Sequence, residues 1–542
     1  MICLKKCLTI INGKVYLSYK PLRISESLIV AGGRVIFTGS KSSALTISEL
    51  LECDLIDLEG KVVLPGFIDA HLHLDGIGMY LNTIDLRGVK SIEELKDKVR
   101  RFVNRASSWI YGHGWDQELF VEGRWPTRWD IDEVVSDKPV LLTRICGHAA
   151  VLNTKAMEVT GLISSDSPHV LRNEKGEVTG VIKEEALEIA KKKFRESLTM
   201  DDHKKFLEDA VKYAASLGVT TVGFVSVNES TLKILEELRS EGKLLIRVRT
   251  YLNPGKDNEV LQTLRKLGIR SGFGDDYLKI HGIKVFVDGS LGARTAWLTQ
   301  PYNDALDTYG SQLIDEKTLE ELVKEVHESG LQLAIHAIGD AAIDLVLHVY
   351  SRIRNLSNSR HRIEHASVIR PDQISKAKDL GIPLVIQPHF IITDWWVLKR
   401  LGVSRATYVY PFKTLINSGI LLGISTDSPV EPLNPWETVY AAVTRGEYEE
   451  VELSKHTPQE KLSLTDTLHS YTYGSAYALR EENNIGTLEV GKFADFIIVD
   501  KDPYAVDEKT LREIKVLATY VGGVKVYGGT GISISRDRGA IT

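Results

Sequence analysis

Two histidines spaced by one residue, His71 and His73, close the run Val62-Val-Leu-Pro-Gly-Phe-Ile-Asp-Ala-His-Leu-His73. Alternate residues of a strand project to the same side. This spacing therefore presents both imidazoles to one space and sends Leu72 to the other, which is an arrangement that can serve a divalent metal ion. Four further stretches carry residues of matching type. Ile283-Lys284-Val-Phe-Val-Asp-Gly-Ser290 sets a lysine inside an apolar strand. A cation there is costly, so the side chain is either paired with an acid such as Asp288 or neutral. A neutral lysine can take up carbon dioxide to give a carbamate, an anionic oxygen ligand able to bridge two cations. Beside the histidines, the carbamate is the preferred reading. Leu333-Ala-Ile-His336 and Arg362-Ile-Glu-His365 each end a strand-like run in histidine, and Gly423-Ile-Ser-Thr-Asp427 ends one in aspartate. Taken singly, each histidine reads as a core or capping residue and Asp427 as the N-cap of the next helix. Taken in chain order, they complete a set of imidazole and oxygen donors. Such a set suits zinc foremost, with manganese, iron or cobalt as alternatives.

These residues need a frame that brings strand ends together. Between residues 61 and 484, apolar strand-like runs alternate with amphipathic helical stretches, the pattern of βα units around a parallel sheet. Strands are expected at Val63–His73, Thr220–Val227, Leu244–Tyr251, Leu278–Val287, Leu331–His336, Arg362–His365, Leu384–Gln387 and Leu421–Asp427. Eight such units predict an α/β fold built on a (β/α)8 TIM barrel, where functional side chains sit at the C-terminal strand ends. His73, Lys284, His336, His365 and Asp427 fall at or near those ends. About 145 residues separate the first strand from the second, against about 2–6 for an ordinary βα loop. Residues 77–205 are therefore expected to form a large α+β insertion, a lid or substrate domain within the barrel. Residues 1–60 and 485–542 consist of short strands punctuated by turns such as Asn12-Gly13 and Gly32-Gly33. The two ends are expected to meet in a composite β-sandwich outside the barrel.

The 542 residues exceed one ordinary core, so a large domain with attached ones is expected. The formal charge is −6 with basic residues scattered, which argues against a nucleic-acid footprint. No apolar run reaches the roughly 18 residues of a membrane span, and the N-terminus reads as a hairpin rather than a secretory signal. Four cysteines, Cys3, Cys7, Cys53 and Cys146, match no zinc knuckle or redox pair. Cys3 and Cys7 are read as structural thiols, and such sparse usage suits a reducing cytoplasm. Gly272-Phe-Gly274 and Gly528-Gly-Thr-Gly531 lack the strand-to-helix context of a phosphate loop.

The whole series, His-x-His on strand one, Lys on four, His on five, His on six and Asp on eight, resembles the amidohydrolase superfamily. More narrowly it resembles the YtcJ-like branch, amidohydrolase family 3. That likeness rests on Lys284-Val-Phe-Val-Asp-Gly-Ser-Leu-Gly-Ala-Arg-Thr-Ala296, Ile335-His-Ala-Ile-Gly-Asp340, Asp427-Ser-Pro-Val-Glu-Pro432 and the long insertion. The resemblance implies two divalent metal ions, with His71 and His73 on the more buried one and His336 and His365 on the second. It implies carbamylated Lys284 between them, and Asp427 binding the buried ion and handling the proton. A metal-bound hydroxide would then attack a carbonyl carbon and cleave an amide-type, non-peptide C–N bond, with Asp427 returning the proton to the leaving amine.

Glu184, in Gly180-Val-Ile-Lys-Glu-Glu-Ala186, is read either as a carboxylate for metal or substrate or as a solvated helix residue. His148, Asp116, Arg294 and Trp395 are candidate substrate contacts, with structural packing an equal reading for each. A mononuclear aminohydrolase is disfavoured because His336 is followed by Ala-Ile-Gly rather than by a glutamate, and because Lys284 is present. A catalytically inactive scaffold would have lost ligands, and none is missing. The expected partner is a small molecule, without nucleic acid or membrane, and a homodimer is compatible with the sequence. N-acyl amines, formamides, ureides and cyclic amides all remain open as substrates.

Overall fold

Pro65 and Gly66 divide the run that carries the paired histidines into two strands belonging to two different sheets. Val62–Pro65 pairs with Lys14–Tyr19 on one side and Phe496–Val499 on the other, whereas Phe67–Leu72 joins the barrel. A single strand over Val63–His73 is thus corrected. Proline lacks an N–H and cannot donate to a ladder. At Gly66 a Cβ would lie 2.3 Å from Thr220 Cγ2, so only glycine lets the chain cross from one sheet to the next here.

The structure is a computed structural model and describes residues 7–104, 108–529 and 534–535. The chain divides into two compact units, one of residues 1–74 and 211–542 and the other of residues 75–210. In the first, eight parallel strands form a nearly closed barrel, the fold class the alternating pattern predicts. They are Phe67–Leu72, Val219–Val227, Arg247–Leu252, Leu278–Phe286, Gln332–Ala337, Arg362–His365, Leu384–Ile386 and Leu422–Ile424, referred to below as the first to eighth barrel strands. Each pairs in parallel with the next. Between the eighth and the first, Asp427 N–H donates to His71 O and His73 N–H to Ser428 O, each at 2.9 Å. Those two bonds fasten the strand that carries the histidine pair to the strand that carries the aspartate. Inside the barrel, Ile68, Val225, Tyr251 and Ala334 pack with Ala476 and Leu479 from the segment that follows the eighth strand.

Strands from both ends of the chain make two further sheets. One has the order Val524–Gly528, Val516–Val521, Phe496–Val499, Val62–Pro65, Lys14–Tyr19, Leu22–Ser25. The other joins Asp54–Asp57, Leu8–Ile11, Ser27–Ala31 and Arg34–Gly39, with Ile534–Ser535 at its edge. Leu8, Ile10, Leu28 and Ile56 of one sheet share a core with Val15, Val63, Phe496 and Tyr520 of the other. Cys7 is bonded to Cys53 as a disulfide, which corrects its reading as a structural thiol. The cause is the parallel pairing of Leu8 with Asp54, which brings the preceding residues side by side. Cys3, Thr530 and Gly531 lie outside the described residues.

The second unit is a six-stranded mixed sheet with helices. Its cores are built around Trp115, Leu142 and Val151 and around Leu141, Ile182 and Leu187. Among the described residues, no helix is long and apolar enough to cross a membrane.

Candidate metal centre

At the C-terminal end of the barrel, His71, His73 and Asp427 converge. Their ligand atoms lie within 4.8 Å of one another, and Asp427 Oδ1 is 3.3 Å from Nε2 of each histidine. Donor atoms that share an ion at about 2.0–2.2 Å lie roughly 3–3.5 Å apart, so this spacing fits a common cation. The rings of His336 and His365 stand next to this group, with centroids 4.5 Å apart, and His365 is 5.1 Å from His71. Lys284 completes the set. Its Nζ is buried and has no hydrogen-bond partner, and it lies 4.8 Å from the ring centroid of Phe286, whose ring is 5.2 Å from that of His336. It is not paired with Asp288. That carboxylate instead accepts from the amides of Trp297, Ile338 and Gly339.

The backbone departs from strand geometry where it delivers these side chains. His365 and Ala366 have φ of +72° and +47°, and Asp427 has φ of +57°. Left-handed residues other than glycine cost about 1–2 kcal/mol each and cluster at functional sites. The strain has a geometric effect. Neighbours on a strand alternate faces, yet both Glu364 and His365 reach His71, because the chain turns at His365.

Each of three imidazoles has one nitrogen occupied by an oxygen acceptor. His71 Nδ1 donates to Glu364 Oε2 at 2.5 Å, His365 Nδ1 to Gln387 Oε1 at 2.8 Å, and His336 Nε2 to Gly289 O at 2.9 Å. These partners accept only, so the bonded nitrogens carry the protons. The lone pairs left are on His71 Nε2, His365 Nε2 and His336 Nδ1. Carboxylate and carbonyl partners commonly orient metal-binding histidines in this way. Glu364 is itself held by Arg362, Nε to Oε1 at 2.6 Å.

Electrostatics favour neutral rings at His336 and His365 and charged acids beside them. Burial, reinforced by neighbouring cationic groups, lowers His336 to about 3 and takes His365 well below its ordinary value. Burial pushes Asp427 and Glu364 upward, but the surrounding imidazoles and Arg362 outweigh it. Asp427 is held far below the carboxylate range and Glu364 at about 2. Lys284 is lowered to about 8 by burial, with Glu364 and Asp427 acting the other way. Neutral imidazoles, an ionised carboxylate and an easily deprotonated amine are the states in which such groups bind cations. The donor set therefore fits divalent metal.

The remaining candidates are distributed differently. Arg294 is engaged by Asp304, with Nη2 to Oδ2 at 2.9 Å, rather than free for a ligand. Trp395 is 67% exposed, while Trp396 packs beside Gly292. Asp116, His148 and Glu184 belong to the second unit. Asp116 binds Arg144 at 2.7 Å, and His148 Nδ1 is 3.4 Å from the carboxylate of Glu184, whose φ is +40°. Sequence reasoning missed Glu364, Gln387, Asp69 and His389. Asp69 binds the Thr426 hydroxyl at 2.6 Å and the His71 amide at 3.2 Å, tying the first strand to the eighth. A carboxylate inside the apolar strand beside His365, and another two residues before His71, were signals within reach.

Known proteins resemble the chain along most of its length. The Bacillus subtilis protein YtcJ is 32% identical over 535 residues, covering 95% of this chain and 98% of its own. An N-substituted formamide deformylase of Arthrobacter pascens is 26% identical, covering 97% and 99%. The crystal structure of an uncharacterized metal-dependent hydrolase from Pyrococcus horikoshii superposes with a TM-score of 0.80 at 43% identity, covering 93% of this chain and 99% of that one. The model of the amidohydrolase family matches residues 54–527, and with the barrel and its converging histidines it shows that this chain belongs to that family.

Proposed function

We propose that the chain hydrolyses an amide-type, non-peptide C–N bond at a two-metal centre, and that N-substituted formamides are the first class to offer it. The observation that carries this reading is Lys284, a buried and unpartnered amine beside four histidines and Asp427. Apolar burial without a partner disfavours the ammonium, and carbamylation turns the same side chain into the anionic bridge that two cations need. His71, His73 and Asp427 would hold one ion and His336 and His365 the other, with Lys284 between. When bound, the ions polarise the scissile carbonyl and bring the pKa of a bound water near 7. The protein supplies the rest. Glu364 and Gln387 fix which nitrogen of His71 and His365 is offered. Asp427 accepts the proton of the attacking water. The formamide class is favoured by similarity to the deformylase over nearly the whole of both chains.

The test is metal content by plasma mass spectrometry on the wild type and on Lys284→Ala, with and without bicarbonate, alongside turnover of N-substituted formamides and N-acyl amines. A bridged pair predicts about two ions per chain, falling sharply in the variant. One ion in both proteins would overturn the carbamate assignment.

A further inference from the structure

The seventh barrel strand ends at Ile386, and three residues on stands His389, which is not among the ligands above. Its Nδ1 is hydrogen-bonded to the carboxylate of Glu431. Glu431 is 4% exposed and is held from its other oxygen by the Thr393 hydroxyl at 2.6 Å. The two halves of this pair hang on segments that leave the metal centre. Gln387, two residues before His389, holds His365, and the ring of Phe390, one residue after, is 6.5 Å from that of His365. Glu431 follows Asp427 by four residues, beyond the eighth strand, which pairs directly with the seventh. An imidazole oriented by a carboxylate that is oriented in turn is the arrangement by which proteins aim a proton-transferring group. With Nδ1 committed to Glu431, Nε2 is the nitrogen left to meet a ligand, and the side chain keeps 11% of its surface accessible. A pair that served only to clip two loops together would need no accessible ring.

We infer that His389 is a second proton-handling residue, one that donates from Nε2 to the departing nitrogen while Asp427 serves the attacking water. The inference rests on the hydrolase reading above. In the step, the proton of water passes to Asp427 as oxygen joins the carbonyl carbon. The C–N bond then breaks, its electron pair goes to nitrogen, and nitrogen takes the proton from His389 Nε2. The ring is left neutral, with Nδ1–H still on Glu431. Solvent reprotonates Nε2 and receives the proton of Asp427. This assigns the leaving group to His389 rather than to a returning Asp427.

The experiment measures kcat on a series of N-substituted formamides, from alkylamines through anilines bearing electron-withdrawing groups, ending in an aryl formate ester. His389→Asn keeps a donor for Glu431 and removes Nε2, and Glu431→Gln keeps shape and loosens the aim. Metal content is measured on all three proteins. A general acid predicts a loss of about 100-fold or more on the alkylamides, shrinking steadily as the leaving group becomes a better anion, with a smaller loss of the same grading in Glu431→Gln. An equal loss across the series, or loss of metal from His389→Asn, overturns the inference. A wild type that holds metal and turns over none of the series overturns the formamide reading itself.

Discussion

A histidine brings two nitrogens to a metal centre, and the residue that binds one of them decides what the other can do. Glu364 performs that service for His71, and its charge is balanced by Arg362 in a region with no access to water. Glu364→Gln preserves shape but removes the charge that both neighbours use. Loss of such a partner costs about 10- to 100-fold in metal affinity. Chelator competition followed by the metal left on the protein should show that drop, and unchanged affinity would mean His71 is oriented by other means. The candidate ligands stand out in the chain because each lies at or near the end of an apolar run and the runs recur in order. Glu364 and Gln387 could not, because their importance depends on which ring each one meets across the barrel. Arg294 kept two readings for the same reason. A loop arginine near the site suggests a ligand contact, but Asp304, ten residues on, engages it.

At the scale of elements, the periodic pattern foretold the barrel strands closely and failed where two sheets share one continuous run. Val63 to His73 reads as one strand because both of its halves are apolar runs; burial says nothing about which sheet buries each half. The division turns on Gly66. Gly66→Ala places a methyl group against Thr220, and overpacking of this kind costs about 1–3 kcal/mol. The measurement is thermal unfolding of the variant alone and combined with Thr220→Gly. A lowered midpoint, partly restored in the double variant, is expected, and a neutral Gly66→Ala would show that the crossing tolerates a side chain.

For the whole molecule, the far end of the chain is tied to the barrel by charges that no composition count reveals. Glu481, after the last barrel strand, meets Lys279 at 2.7 Å, Arg249 at 3.1 Å and His281 at 3.4 Å, all essentially out of solvent apart from part of Lys279. Burial raises Glu481, but these three partners outweigh it and hold the carboxyl below its usual range. A depressed pKa contributes stability that is fully present above the unfolded value, roughly 4.3, and is lost as pH falls towards the folded one. Glu481→Gln should therefore unfold more easily than wild type at pH 7, by about 3–5 kcal/mol for a broken buried pair. The gap between the two proteins should begin to narrow below about pH 4 and keep narrowing as pH falls further. Denaturant titrations at both pH values check this, and a gap independent of pH would assign the effect to packing.

The interleaved terminal sheet has a bearing on how the chain is made. Lys14–Tyr19 and Val62–Pro65 emerge from the ribosome early, but the partner of Val62–Pro65, Phe496–Val499, is translated some 430 residues later. At about 5–20 residues per second the delay is roughly 20–90 s. Through that interval, an apolar strand edge stands without its neighbour while residues 75–210 can already close their own cores. Nascent-chain capture should accordingly find chaperones on the first 70 residues until synthesis has passed Val521.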